Sequence, residues 1–97
     1  MKYTVVLAPE ALDDFRALRA YDRAAVRDAI NKHLSHRPAR VSKTRVKRLR
    51  GVDRPQYRLR VGDLRVFYDV SEATVEVLAI VPKAVAMEWL ERWGETS

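Results

Sequence analysis

"YRLRVGDLRVFYDV", Tyr57 to Val70, alternates around a central Gly62–Asp63 pair. Period-two alternation marks a half-buried strand, and a two-residue link containing glycine closes a tight hairpin. The register then follows from the turn. Val61 opposes Leu64, Arg60 opposes Arg65, Leu59 opposes Val66, Arg58 opposes Phe67 and Tyr57 opposes Tyr68. One face carries Tyr57, Leu59, Val61, Leu64, Val66 and Tyr68 and is expected to line the core. The other carries Arg58, Arg60, Arg65 and Phe67. Like charges directly opposed across a strand pair are destabilising. No acid falls between these arginines on that face; Asp69, further along, is the nearest candidate. A polyanion would supply the missing counter-charge.

The charge distribution points the same way. From Arg37 to Arg65 there are eleven basic residues against Asp53 and Asp63, a local balance of +9. The whole 97-residue chain is +6, so the remainder is −3. A basic middle on an acidic frame suits a polyanion-binding surface. The length suits one domain spanning residues 1–97. No cysteine is present, which removes disulfides and thiolate metal sites and fits a reducing compartment. No apolar run approaches membrane-spanning length and no leader pattern opens the chain, so a soluble cytoplasmic protein is expected.

Outward from the hairpin, "KYTVVL" (Lys2 to Leu7) reads as a first strand. Pro9 opens a helix with Glu10, Asp13 and Asp14 in its first turns, where acids suit the helix dipole. Ala11, Leu12, Phe15 and Leu18 form its apolar stripe. Asp22 is read as the N-cap of a second helix reaching about Leu34, with Val26, Ala29, Ile30 and Leu34 as its stripe. The short link makes an antiparallel helical hairpin. "RPARVSKTRVKRLRG" is read as an extended basic segment against the domain edge, with a short strand near Val46 to Leu49. "TVEVLAIV" (Thr74 to Val81) is apolar on both faces, as a central strand covered on each side would be. Pro82 starts a terminal helix bearing Trp89, Leu90 and Trp93, which read either as core or as a docking face. The fold class is α+β: a helical hairpin packed on a mostly antiparallel sheet of four to five strands, followed by a C-terminal helix.

Arginine suits phosphate because its planar fork donates paired hydrogen bonds and stays charged. Arg45, Lys47, Arg48 and Arg50 extend the basic surface, and Phe67 is placed to stack on a base. Lys83, in the first turn of the last helix, opposes the helix dipole, so local stability does not explain it. It is expected to join the arginines in an anion site.

These residues carry a family resemblance. The order strand, helical hairpin, "VKRLRG", "YRLRVGDLRVFYDV", "VEVLAIVPK" resembles the RelE/ParE superfamily of toxins from type II toxin–antitoxin pairs, over about Met1 to Trp93. The resemblance implies a cognate antitoxin that wraps and neutralises the toxin, with operator DNA reached only through that antitoxin. The RelE branch cleaves mRNA on the ribosome without metal; the ParE branch inhibits DNA gyrase. Arg58, Arg60 and Arg65 match positions where RelE-type nucleases carry basic catalytic residues. Lys83 stands near a further arginine position, but "VPKAVAMEWLERW" has no tyrosine where those nucleases carry one.

The favoured expectation is therefore a metal-independent mRNA endoribonuclease that inhibits translation, with no cofactor and with Arg58, Arg60, Arg65 and Lys83 as its catalytic set. Lys83 is the expected base, because an amine crowded by cations releases its proton more readily. His33 and His36, at the end of the second helix, are expected to be surface or capping residues. A gyrase inhibitor and a non-catalytic RNA-binding protein are the alternatives.

Overall fold

The computed structural model describes residues 2–96. The elements are β1 (Thr4–Leu7), α1 (Pro9–Ala17), α2 (Ala20–His33), β2 (Val46–Arg48), β3 (Tyr57–Val61), β4 (Leu64–Val70), β5 (Thr74–Pro82) and α3 (Lys83–Trp93). The five strands form one sheet in the order β1-β5-β4-β3-β2. Only β1, beside β5, pairs in parallel; the other neighbours are antiparallel. The α+β architecture read from the sequence is the observed one. The β3–β4 register agrees with the reading residue for residue, and Gly62 makes the turn with a φ of +56°, a conformation most side chains avoid.

The sheet is covered on both faces by different helices. On the inner face Val46, Leu59, Val66, Tyr68, Val75, Val77 and Ile80 pack with Ala11 of α1 and with Val26, Ala29 and Ile30 of α2. On the outer face Phe67, Ala79 and Val81 pack under Ala86, Trp89 and Leu90 of α3. The doubly apolar "TVEVLAIV" is thus explained by cover on each side. Asp22 is not the N-cap of α2. The helix starts three residues earlier with Arg19 at the cap, and Asp22 lies in the first turn 3.6 Å from the Arg19 guanidinium. There it gains from the helix dipole instead of from a cap bond.

A bulge in β5 decides which apolar residue faces which helix. Phe67 pairs with Ala79 but Tyr68 pairs with Val77, so Leu78 is an extra residue in the ladder. Across it the alternation changes phase, so Val75 and Val77 face the helix pair while Ala79 and Val81 face α3. β1 pairs only as far as Leu7 with Val77, because Pro9 begins α1. β5 continues to Pro82 with no strand on that side. The Asp14 carboxylate of α1 takes the place of a strand and accepts the Ile80 N–H at 3.0 Å.

Residues 34–45 have little regular structure yet are pinned. Buried Pro38 offers its carbonyl to the Tyr68 hydroxyl at 2.6 Å. The Ser42 amide donates to the Val46 carbonyl, and the Ser42 hydroxyl accepts from the Arg45 and Val46 amides, all at 3.0 Å. This closes the outer edge of β2 at Val46, a short edge strand blunted against pairing with another chain.

Asp14→Ala leaves the Ile80 N–H without its acceptor and is expected to cost about 1–3 kcal/mol. Asp14→Asn keeps an acceptor oxygen and is expected to lose less than half of that. Urea denaturation of the three proteins checks both, and equal losses for Ala and Asn would contradict the assignment.

Candidate nucleic-acid interface

Strand pairing lays the outer-face residues in two rows across the sheet. Lys47, Arg58, Phe67 and Ala79 form one; Arg60, Arg65 and Val81 form the other. The hairpin therefore brings Arg58, Arg60 and Arg65 together as its alternation requires, and Lys47 joins them from β2. Pro82 lies opposite Leu64, and the Lys83 amide donates to the Asp63 carbonyl at 2.7 Å. The start of α3 is thus held against the hairpin turn, with the exposed Lys83 side chain beside it. One of that helix's unpaired N–H groups is spent on the turn.

The electrostatics of the two ends of this face differ. Asp69 opposes Glu76 across β4 and β5, a like-charged acidic pair. Arg54 reaches between them and bonds each at 2.7 Å. The hydrogen bond to Asp69 is the main reason the Arg54 guanidinium holds its proton more tightly than usual. Arg60 opposes Arg65 in the same way, but no ion pair among the described residues neutralises them. Among the described residues the ion pairs join Arg19 to Asp22 and Arg54 to Asp69 and Glu76; none reaches Arg58, Arg60 or Arg65. Arg65 bonds only carbonyls, those of Gly62 and Leu64, both at 2.9 Å. The Nε of Arg58 is buried without a partner, and one terminal nitrogen reaches the Thr44 carbonyl at 3.4 Å. Desolvation, then the charges of Arg65 and Arg60, push the Arg58 pKa below its ordinary value.

Three expectations are corrected. Phe67 is only 1% exposed, its ring stacked on Trp89 with centroids 4.9 Å apart and planes 7° from parallel. The apolar surface of α3 outcompetes a base for that ring face. Arg65 is 7% exposed, not open, because its guanidinium folds back onto the turn carbonyls. Arg48 lies in the row of Tyr57 and Tyr68, on the inner side of the sheet, and stacks on the Tyr57 ring at 5.0 Å. Arg45 and Arg50 are exposed in the flanking segments. Tyr68 is buried on the inner face and spent on Pro38, and burial pushes its pKa well up. Trp89 is half-buried and packs onto the outer-face core, the first of its two readings; Trp93 is 60% exposed, with the Arg92 guanidinium 5.5 Å from its ring.

The sequence reading missed one grouping. His33, half-buried, and His36, exposed, lie at the end of α2 as expected; they also line a cavity of about 420 Å³ with Lys32, Arg37, Arg40 and Arg45. The signal was the acid-free, arginine-rich segment after α2, whose fold-back could not be placed. Among the described residues no three His, Cys, Asp or Glu side chains converge as metal ligands, and no helix is long and apolar enough to cross a membrane.

Residues 5–86 match the model of the ParE toxin of the parDE type II toxin–antitoxin system. The chain belongs to the RelE/ParE superfamily of type II toxins. Solved structures of similar shape agree with this. The RelBE2 toxin–antitoxin complex from Mycobacterium tuberculosis matches at a TM-score of 0.72 and 28% identity, over 84% of this chain and 99% of the matched one. The archaeal RelE–RelB complex from Pyrococcus horikoshii matches at 0.71 and 25%, over 89% and 100%. The RelB–RelE complex from Methanococcus jannaschii, at 15% identity and a TM-score of 0.63, over 87% and 96%, shares the fold. No curated protein matches by sequence.

Arg58→Met keeps the side-chain stem and removes the crowded charge. It is expected to stabilise this toxin by roughly 0.5 kcal/mol in low salt, with the gain shrinking in 0.5 M NaCl as screening relieves the wild type. Thermal denaturation at two salt concentrations checks it. Phe67→Leu is expected to cost about 1–2 kcal/mol of stability while leaving affinity for a single-stranded RNA within twofold, measured by fluorescence anisotropy.

Proposed function

We propose that this toxin binds RNA through its phosphate backbone on Arg58 and Arg60, held in place by Arg65, and cleaves ribosome-bound mRNA without metal, arresting translation. The observation that carries the reading is the unneutralised arginine pair. The same sheet face supplies Arg54 to its acidic pair, so a counter-charge was structurally attainable and is withheld from the arginines. A phosphodiester provides it, and guanidinium groups suit its oxygens.

In this reading the cleavage uses the neighbouring 2′-hydroxyl. A base takes the 2′-OH proton, the O2′–P bond forms, and the P–O5′ bond breaks with the 5′-oxygen gaining a proton. Arg58, desolvated and flanked by two cations, gains most from the extra negative charge of the phosphorane, with Arg60 and Lys47 beside it. Arg65 stiffens the turn that aims them. Lys83, exposed at the start of α3 beside the turn, is the group assigned to the 2′-OH proton. The leaving oxygen takes its proton from water, since the two hairpin tyrosines face inward.

A cognate antitoxin is part of the proposal, as the similar structures are toxin–antitoxin complexes. An acidic antitoxin segment laid over the cluster would neutralise charge and activity together. A second reading, gyrase inhibition, is favoured by the family model being that of ParE and by the lack of a carboxyl, imidazole or outward phenol among the cluster residues.

The two readings separate in paired assays: primer extension on mRNA in a translating extract, and supercoiling by purified gyrase. The expected result is cuts within ribosome-bound message, reduced about 10²-fold in Arg60→Ala, with supercoiling unaffected. Intact message and blocked supercoiling would establish the second reading instead.

A further inference from the structure

The cavity at the end of α2 stands apart from the arginine cluster and is built differently. It holds about 420 Å³ and is lined by Lys32, His33, His36, Arg37, Arg40 and Arg45, with Ser42, Thr44 and Val46 completing its wall. No carboxylate lines it. Local stability accounts for part of this set: Lys32 and His33 fall in the last helical turn, where cations suit the dipole. It does not account for Arg37, Arg40 and Arg45, which lie beyond the helix and have no ion-pair partner among the described residues. The cavity exists because the 34–45 segment is folded back, held by Pro38 under Tyr68 and by Ser42 on β2.

A second opening of about 330 Å³, lined by Thr44, Arg45, Arg60 and Gly62, adjoins it. Thr44 and Arg45 belong to both, and Arg60 belongs to the cluster. The two openings thus share Thr44 and Arg45 in their walls, and no carboxylate lines either. His33 senses the same field. Burial first, then Arg45 and Lys32, lower its pKa against the opposing pull of Asp28; an anion held there would offset those cations and raise it.

We propose that the cavity formed by His33, His36, Arg37 and Arg40 is a second phosphate site. It holds a backbone phosphate of the same RNA strand that occupies the arginine cluster, and the strand passes over Thr44 and Arg45. The assignment rests on the RNA reading above and adds a fixed direction to it: the strand crosses the β2 edge toward α2. Binding at two places also sets register, since phosphate contacts position a strand without reading its bases.

The test uses a fluorescein-labelled twelve-nucleotide single-stranded RNA, with anisotropy measured from 50 to 200 mM NaCl. Arg37→Ala/Arg40→Ala is expected to weaken binding about tenfold and to flatten the plot of log affinity against log salt by about 0.7, one phosphate contact's worth on a single strand. Arg37→Lys/Arg40→Lys is expected to restore most of both. In a parallel titration with inorganic phosphate, the imidazole proton signals of His33 and His36 shift in the wild type and in Arg60→Ala, and stay still in the double-alanine variant. Double-alanine affinity within twofold of wild type, with Arg60→Ala weakened, overturns the second site and leaves the RNA reading standing. Absence of RNA binding by the wild type overturns both. Circular dichroism melts of each variant separate lost contacts from lost fold.

Discussion

β5 must be buried on two faces while one of its edges runs past the end of its only parallel neighbour. Most of the architecture answers that condition. A parallel partner cannot extend beyond Leu7, because Pro9 turns the chain into α1. The orphaned Ile80 amide is taken by Asp14. The bulge at Leu78 then hands Val75 and Val77 to the helix pair and Ala79 and Val81 to α3. A continuous two-residue alternation would have placed all four on one side, leaving α3 without an apolar floor.

That floor explains how the arginine cluster is tolerated. A directly opposed like-charge pair costs less than about 1 kcal/mol. Burying Phe67 contributes about 1.5–3 kcal/mol, and its stacking on Trp89 adds roughly 0.5–1.5 more. The outer face is therefore held by its apolar centre, and its two charged ends are free to differ. One end is closed by Arg54 on Asp69 and Glu76. The other keeps three guanidinium groups with only carbonyl partners or none. Their repulsion is retained in the folded state and is available to be released by an anion.

The basic excess is spread further than the hairpin. From the cluster it runs through Arg45 to the cavity at the end of α2, along the part of the chain with least regular structure. That segment is held by a few hydrogen bonds, among them Tyr68 to Pro38 and those of Ser42 with Arg45 and Val46. Its packing and the presentation of its arginines are thus one property. In a superfamily of type II toxins, such a surface suits both a polyanionic target and an acidic segment of an antitoxin.

The hairpin register, the core face and the gathering of Arg58, Arg60 and Arg65 were legible in the sequence, because a two-residue turn and a period of two leave no other pairing. The double cover of β5 was legible from its continuous apolar run. What stayed hidden depended on contacts between residues far apart in the chain. Nothing local says that Phe67 lies under Trp89, that Arg65 turns back onto Gly62, or that Arg48 stacks on Tyr57. Nor does anything local place His33 and His36 beside Arg40 and Arg45. Alternation tells which side of a strand a residue occupies; only the packed chain decides whether that side meets a helix, a carbonyl or open water.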